Sequence, residues 1–255
     1  LIEAKALLKQ SPSTPASSSP PASKGKPILY SDVADVFGEI EKTSKRLEII
    51  QLTSDFFLKV LQTNPDELVQ ITYLFINRLG PDYEGLELGL GETILLKIIS
   101  ESTGKSTQQV KAKYKETGDL GLIALQARAV QPTMFKPKPL TARQVFDNLK
   151  QIASASGKDS QTRKINIIKR MLTSSGGLEA KFLIRSLESQ LRIGLAEKTV
   201  LISFAKALVT YQKQDIKEKL TPEMFVQAEE GSRDAFCQIP NYEVLKFGRA
   251  YSRER

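Results

Sequence analysis

"ESQLRIGLAEKTVL" (Glu188–Leu201) sets a positive charge, Arg192, a bare backbone, Gly194, and a small residue, Ala196, ahead of Glu197 and an apolar run with helical spacing. A helix in water ordinarily opens on Ser, Thr, Asp or Asn, whose side chain accepts from the first free amides. No such residue stands at this opening. Upstream, "GLELGLGETILL" (Gly85–Leu96) has nearly the same outline: small apolar, Gly, Leu, small residue, Glu, then helix. Two helices with one unusual start are the expectation from which the rest of the chain is read.

From Pro27 onward the apolar residues recur with helical period. Val33, Val36, Phe37 and Ile40 form one stripe, and Leu47, Ile50, Phe57, Leu58 and Leu61 a second. "PDELVQITYLFINRLG" opens with Asn64 as cap and Pro65 in the first turn and stops at Gly80; "STQQVKAKYKETG" has Ser106 as cap and Gly118 as stop. No stretch alternates with period two for long enough to argue a sheet. The fold class expected is all-α.

Four short matches fall in the same order in two halves. "VFGEI" (Val36–Ile40) matches "VFDNL" (Val145–Leu149), and "KRLEII" (Lys45–Ile50) matches "RKINII" (Arg163–Ile168). "LFINRL" (Leu74–Leu79) matches "FLIRSL" (Phe182–Leu187), and "LGLGE" (Leu88–Glu92) matches "IGLAE" (Ile193–Glu197). Collinear matches predict a duplicated helical unit packed about a pseudo-two-fold axis. The halves are residues 27–130 and 139–243, joined by the proline-bounded connector Gln131–Leu140. Residues 1–26 include a Ser/Pro-rich stretch that cannot bury enough apolar surface to offset ordering entropy, so a disordered tail is expected there. Residues 244–255 form a basic end of different character.

The chain of 255 residues carries 37 Lys and Arg against 29 Asp and Glu, a net charge of +8. Such a balance suits a polyanionic partner, of which nucleic acid is the commonest. With no histidine, Ser-His-Asp and Cys-His nucleophile systems and His-ligated metal sites are excluded. Cys237 stands alone, so neither an intrachain disulfide nor a CxxC pair forms, which fits a reducing compartment. No apolar run approaches membrane-spanning length and the beginning lacks signal-peptide shape, so a soluble intracellular protein is expected, with no membrane partner. No metal and no cofactor are expected.

The repeated outline has a physical use. The first amides of a helix are unpaired and carry about half a positive charge. Gly and Ala leave that backbone open to a phosphate. One start offers Gly89, Gly91 and Thr93; the other offers Arg192, Gly194, Ala196 and Lys198. Nine Lys and Arg lie between Lys136 and Arg170 against two Asp, including Arg163 and Lys164 after the loop "SASGKDS". Ser44, Lys45 and Arg46 form the counterpart loop in the first half, with Arg46 and Lys164 at matching positions. Together these residues suit duplex DNA gripped at two points on its backbone, which positions without reading sequence. There is no P-loop, because no Gly-Lys-Ser/Thr follows. The competing reading makes the glycines simple turns, gives Glu92 and Glu197 to their own helix dipoles, and leaves a helical scaffold for acidic protein partners. "QLTSDFF" (Gln51–Phe57) misses the spacing of a sliding-clamp box, and Phe56 and Phe57 are expected in the core.

"YLFINRLGPDYEGLELGLGETILLKIISESTG", "KETGDLGLIALQAR", "LTARQVFDNLKQIA", "KINIIKRML", "EAKFLIRSLESQLRIGLAEKTVL" and "FCQIPNYE" occur in this order. They are similar to the N-terminal DNA-binding domain of eukaryotic ATP-dependent DNA ligases of the replicative DNA ligase I type, over Pro27 to Glu243. The resemblance implies an all-α, pseudo-symmetric bundle that binds nicked double-stranded DNA across the minor groove, through phosphate and sugar. It implies a nuclear protein serving DNA replication, repair and recombination. The family's backbone-contacting segment falls on Arg192, Gly194, Ala196 and Lys198, and its N-terminal arginine contact on Arg46. Gln190 and Glu48 stand where relatives are often basic. In the family an adenylation domain with a Lys-x-Asp-Gly nucleophile motif follows. That motif occurs nowhere in this sequence, which ends in "VLKFGRAYSRER", so the chain is expected to bind DNA without sealing nicks itself.

Overall fold

The computed structural model describes residues 25–130, 138–215 and 220–247. Among these the backbone forms twelve α-helices and no strand. In chain order they are α1 (Tyr30–Glu41), α2 (Arg46–Thr63), α3 (Leu68–Phe75), α4 (Glu92–Thr103), α5 (Thr107–Thr117), α6 (Leu120–Val130), α7 (Ala142–Ser154), α8 (Ser160–Ser174), α9 (Gly177–Leu187), α10 (Glu197–Asp215), α11 (Pro222–Gln238) and α12 (Tyr242–Phe247). The all-α expectation holds. The expected disordered tail up to residue 24, most of the proline-bounded connector and the last residues of the basic end lie outside the described residues.

Local chemistry sets most helix ends. Ser106 caps α5 in a reciprocal box with Gln109, and Gly118 ends it at φ 64°. Thr141 and Gln144 do the same at the start of α7. Asn64 departs from expectation: Pro65–Glu67 forms a 3₁₀ turn and α3 begins after it. The Asn64 side chain is buried and donates to Glu67 Oε1 at 3.0 Å instead of accepting from an amide. Nor does α3 reach Gly80. Asn77 turns left-handed at φ 55°, and the Arg78 amide bonds back to Tyr73 O at 2.9 Å. Ser189 (φ 60°) and the Gln190 amide, bonded to Arg185 O at 2.9 Å, end α9 in the same way.

The two halves are interlocked. α2 packs along α10, α9 lies against α1 and α6, α3 against α7, and α4 against α8, so each contact joins residues 27–130 to residues 139–243. At the starts of α1 and α7 the chain pairs antiparallel: the Tyr30 amide donates to Leu140 O (2.9 Å) and the Ala142 amide to Ile28 O (2.8 Å). Counted from those starts, the buried residues Val33, Phe37 and Ile40 of α1 stand where Val145, Leu149 and Ile152 stand in α7. The "VFGEI" and "VFDNL" segments therefore sit one turn apart. Of the four sequence matches, only "LGLGE" and "IGLAE" fall at the same place relative to a helix start.

Phe75 lies at the middle of the apolar core. Its ring centroid is 4.7 Å from Phe37, 5.7 Å from Phe56 and 5.0 Å from Phe57, while Phe182 packs on Phe37 and Phe204 on Phe57. Five helices, α1, α2, α3, α9 and α10, meet through these rings, and Phe56 and Phe57 are core residues as expected.

A charged knot closes one side of this core. Arg185 on α9 is 3% exposed. Its guanidinium donates to Asp119 Oδ2 through Nη2 (2.6 Å) and Nε (3.1 Å), to Glu41 Oε1 (2.9 Å) and to Leu191 O (3.2 Å). Asp119 also accepts from the Gly121 amide at 2.8 Å, at the start of α6. A Cβ on Gly121 would stand 2.7 Å from Lys181 O, so only glycine permits this approach. Burial pushes the Asp119 carboxyl up, but the Arg185 guanidinium and the Gly121 and Leu122 amides outweigh it and hold the group below the usual carboxylate range. Its stabilisation is therefore complete above the ordinary aspartate range and is lost as pH falls through the depressed native value. Asp119→Asn is expected to lower stability at neutral pH by about 3 kcal/mol. In denaturant titrations that deficit should shrink as the pH is lowered past the depressed value; a deficit independent of pH would contradict the ion pair's role.

Candidate nucleic-acid interface

The two unusual helix starts are built alike. In Leu191–Ala196, Leu191 and Ile193 are buried and Leu195 half-buried, while Arg192, Gly194 and Ala196 are exposed. In Leu88–Gly91, Leu88 and Leu90 are half-buried and Gly89 and Gly91 exposed. Apolar side chains anchor each turn inward, leaving a small or charged residue outward at every second place. Gly89 (φ 57°) and Gly194 (φ 68°) are left-handed at the same distance from their helix starts. Gly91 O receives the Ile94 and Leu95 amides (3.0 and 3.4 Å), and Ala196 O the Thr199 and Val200 amides (2.9 and 3.1 Å). No side chain of Gly91 accepts from the opening amides of α4, and alanine has no group to do so for α10. Arg192 is itself left-handed at φ 55°, which costs a non-glycine residue about 1–2 kcal/mol. Nothing in the sequence signals that strain at the exposed Arg192.

Each start has a parallel neighbour from the other half. Along α2 and α10, Ser203 Oγ donates to Ile50 O (3.3 Å) and Gln62 Nε2 to Gln214 Oε1 (2.9 Å), so the helices run in the same direction. The start of α2, with Lys45 at its cap and no side-chain acceptor, therefore lies beside the start of α10. α4 and α8 are likewise parallel: Lys164 reaches Leu88 near their starts, and Lys169 pairs with Glu101 further along. Asp159 stands at the cap of α8 and its side chain makes no bond to the opening amides. Four helix starts here lack a side-chain cap, as do those of α1, α3 and α11, while α5 and α7 have complete capping boxes. The two pairs adjoin. One depression is lined by Leu86–Leu90 and a second by Leu191–Ala196, and Asn77 and Ser189 line both.

Most of the residues expected from sequence reach this surface. Ser44, Arg46, Arg192, Gly194, Ala196 and Lys198 are exposed around the α2–α10 starts; Gly89, Gly91, Thr93 and Arg163 are exposed around the α4–α8 starts. Lys164 corrects the expectation of a surface contact. It is 6% exposed, and its Nζ donates to Leu88 O at 2.7 Å. Arg46 is the first residue of α2, while Lys164 lies a turn inside α8, so the two do not occupy matching positions. The basic stretch is also broken up. Lys150 lies over the Phe146 ring, Lys169 pairs with Glu101, and Arg170 lines a separate depression with Lys138. Leu47, expected in an apolar stripe, is 81% exposed next to Arg46, because α2 turns its first turn outward. Sequence reasoning missed Glu188, which lines the depression beside Gly89 and has a buried Oε2 without a hydrogen-bond partner. Burial raises its carboxyl above the usual range, opposed by Arg192.

The DNA ligase N-terminus family profile matches residues 29–205. The chain belongs to this family. It is 60% identical to DNA ligase 1 of Saccharomyces cerevisiae over 222 residues, covering 86% of this chain and 29% of that protein. It is 48% identical to DNA ligase 1 of Schizosaccharomyces pombe, covering 85% of this chain and 28% of that protein. The DNA ligase of Methanothermobacter thermautotrophicus is 35% identical, covering 71% of this chain and 32% of that protein. The chain spans less than a third of the length of these relatives. The profile spans both candidate helix starts of the ligase N-terminal domain. Among the described residues no helix is long and apolar enough to cross a membrane.

The two turns differ in what they tolerate. A Cβ on Gly91 meets open space at φ −84°, and Ala196 fills the equivalent place; Gly194 has space too, but at φ 68°. Gly194→Ala is expected to lower unfolding free energy by about 1–2 kcal/mol through backbone strain. Gly91→Ala should lower it by less, and a reversed order in denaturant midpoints would contradict the turn geometry.

Proposed function

We propose that this domain holds nicked double-stranded DNA through its phosphates and sugars across the minor groove, in the service of ATP-dependent ligation during replication, repair and recombination in the nucleus. The observation that carries the reading is the gathering of four helix starts without side-chain caps into two adjoining parallel pairs, in a chain of the DNA ligase N-terminus family. Parallel helices add their dipoles at the same end, so each pair concentrates positive potential and free amides where a phosphate is best held. Arg46 and Ser44 serve the pair that also carries Arg192, Gly194, Ala196 and Lys198; Arg163 serves the pair with Gly89, Gly91 and Thr93. Two such points fix a duplex by its backbone and shape, with no reading of bases.

The sequence holds no Lys-x-Asp-Gly motif, so the role proposed for it is binding, not adenylyl transfer. The catalytic ligase core is the functional partner that this reading requires. We read the two halves as copies of one helical unit packed about a pseudo-two-fold axis.

Binding to nicked duplex is expected to fall steeply and log-linearly with salt and to vary little with sequence. Arg192→Ala should weaken binding by about 1 kcal/mol on all sequences alike, measured by fluorescence anisotropy at fixed salt. Affinity that stays flat across a tenfold salt range, or an Arg192 effect confined to one sequence, would overturn the reading. Full displacement of the DNA by an acidic polypeptide at equal charge concentration would instead favour a protein-binding scaffold.

A further inference from the structure

Two buried cations hold the two turns, each through a main-chain carbonyl, at Leu88 four residues before α4 and at Leu191 six residues before α10. Lys164 on α8 is 6% exposed and gives its Nζ to Leu88 O at 2.7 Å. Arg185 on α9 is 3% exposed and gives Nη1 to Leu191 O at 3.2 Å. Each accepting carbonyl belongs to the residue directly before a left-handed one: Gly89 (φ 57°) in the first turn, Arg192 (φ 55°) in the second. A peptide oxygen fixed there fixes the plane of the next peptide, and hence the direction of the amides that follow.

The cations differ in what else they do. Arg185 is also neutralised by Asp119 and Glu41, and its removal would open the core. Among the described residues Lys164 makes no ion pair, and Leu88 O is its one hydrogen-bond partner. A buried ammonium without a carboxylate is a poor stabiliser of a fold, and an apolar residue of similar volume serves packing at least as well. A Cβ on Gly89 would stand 3.3 Å from Lys164 Nζ, so the glycine also makes room for the ammonium.

We propose that Lys164 is a positioning residue for DNA binding: it sets the Leu88–Thr93 turn and the opening amides of α4 without touching phosphate, as Arg185 sets the Leu191–Ala196 turn. The proposal rests on the DNA-binding reading. Its consequence is a distinction between two kinds of cation at this surface. Arg192, Arg46 and Arg163 meet the polyanion directly, while Lys164 acts through a main-chain carbonyl.

The test compares Lys164→Met and Lys164→Arg with the unaltered protein. Thermal unfolding of Lys164→Met should show a midpoint no lower than that of the unaltered chain. Hydrogen exchange without DNA should show faster exchange at the Ile94 and Leu95 amides, which bond to Gly91 O, and no change at Thr199 and Val200, which bond to Ala196 O. Affinity for nicked duplex should fall by about five- to tenfold, the size of one lost hydrogen bond. The slope of log affinity against log salt should stay unchanged, whereas a lost phosphate contact lowers it by about 1. Lys164→Arg, which keeps a donor and the charge, should recover part of the affinity. A slope reduced by about 1 would overturn the proposal and make Lys164 a direct contact. Unchanged affinity and exchange in Lys164→Met would also overturn it, and Arg192→Ala would show separately whether DNA binding itself stands. Should Lys164→Met unfold, its role is structural and the proposal fails, unless Lys164→Arg folds and shows the altered exchange at Ile94 and Leu95 alone.

Discussion

The Arg185 guanidinium is the interaction on which the rest of the architecture depends. It joins Glu41 at the end of α1, Asp119 at the start of α6 and the carbonyl of Leu191, and it grows from α9 beside the central Phe182. One planar cation thereby ties two elements of the first half to a helix and a turn of the second. Its five donors suit this arrangement, since a lysine offers no fork to match a carboxylate and a carbonyl together. Burying such a charge is tolerable only because both carboxylates are within hydrogen-bond distance. With α9 held in place, the chain that leaves it must turn left-handed at Ser189 and again at Arg192 before α10 begins.

That geometry brings helix starts of both halves together. α2 runs beside α10 and α8 beside α4, each in the same direction, so their starts coincide in pairs. A helix start that will meet an anion gains nothing from a side-chain carboxylate or hydroxyl cap already occupying its amides. The starts that face this surface carry Lys45, Gly91, Asp159 and Ala196 at the cap, none bonded to the helix through its side chain. α5 and α7 use Ser106 and Thr141 in full capping boxes.

Some of this was legible from residue order. The repeated outline before Glu92 and Glu197 displays the two unusual helix starts, with Gly89 and Gly194 at the same distance from each. The all-α class and the Ser106–Gly118 helix follow from period and caps alone. What the sequence could not display was partnership between helices distant along the chain. The matched segments suggested Arg46 and Lys164 as equivalents, but equivalence depends on register from the helix start, and three of the four matches are displaced from it. Lysines are so seldom buried that a basic stretch is naturally read as surface; Lys164 is inward because α8 packs on α4, a fact of tertiary structure. The left-handed backbone of Arg192 is likewise invisible without the fold, since the residue type argues against it.

The central claim is that both pairs of helix starts engage one duplex at once. The most direct measurement is hydrogen exchange of the backbone amides, followed by mass spectrometry, with and without saturating nicked duplex. The account predicts added protection in four segments together: Ser44–Leu47, Gly89–Thr93, Ser160–Arg163 and Arg192–Lys198. Protection confined to one pair, or centred on α11 and α12 with these four segments unchanged, would contradict it.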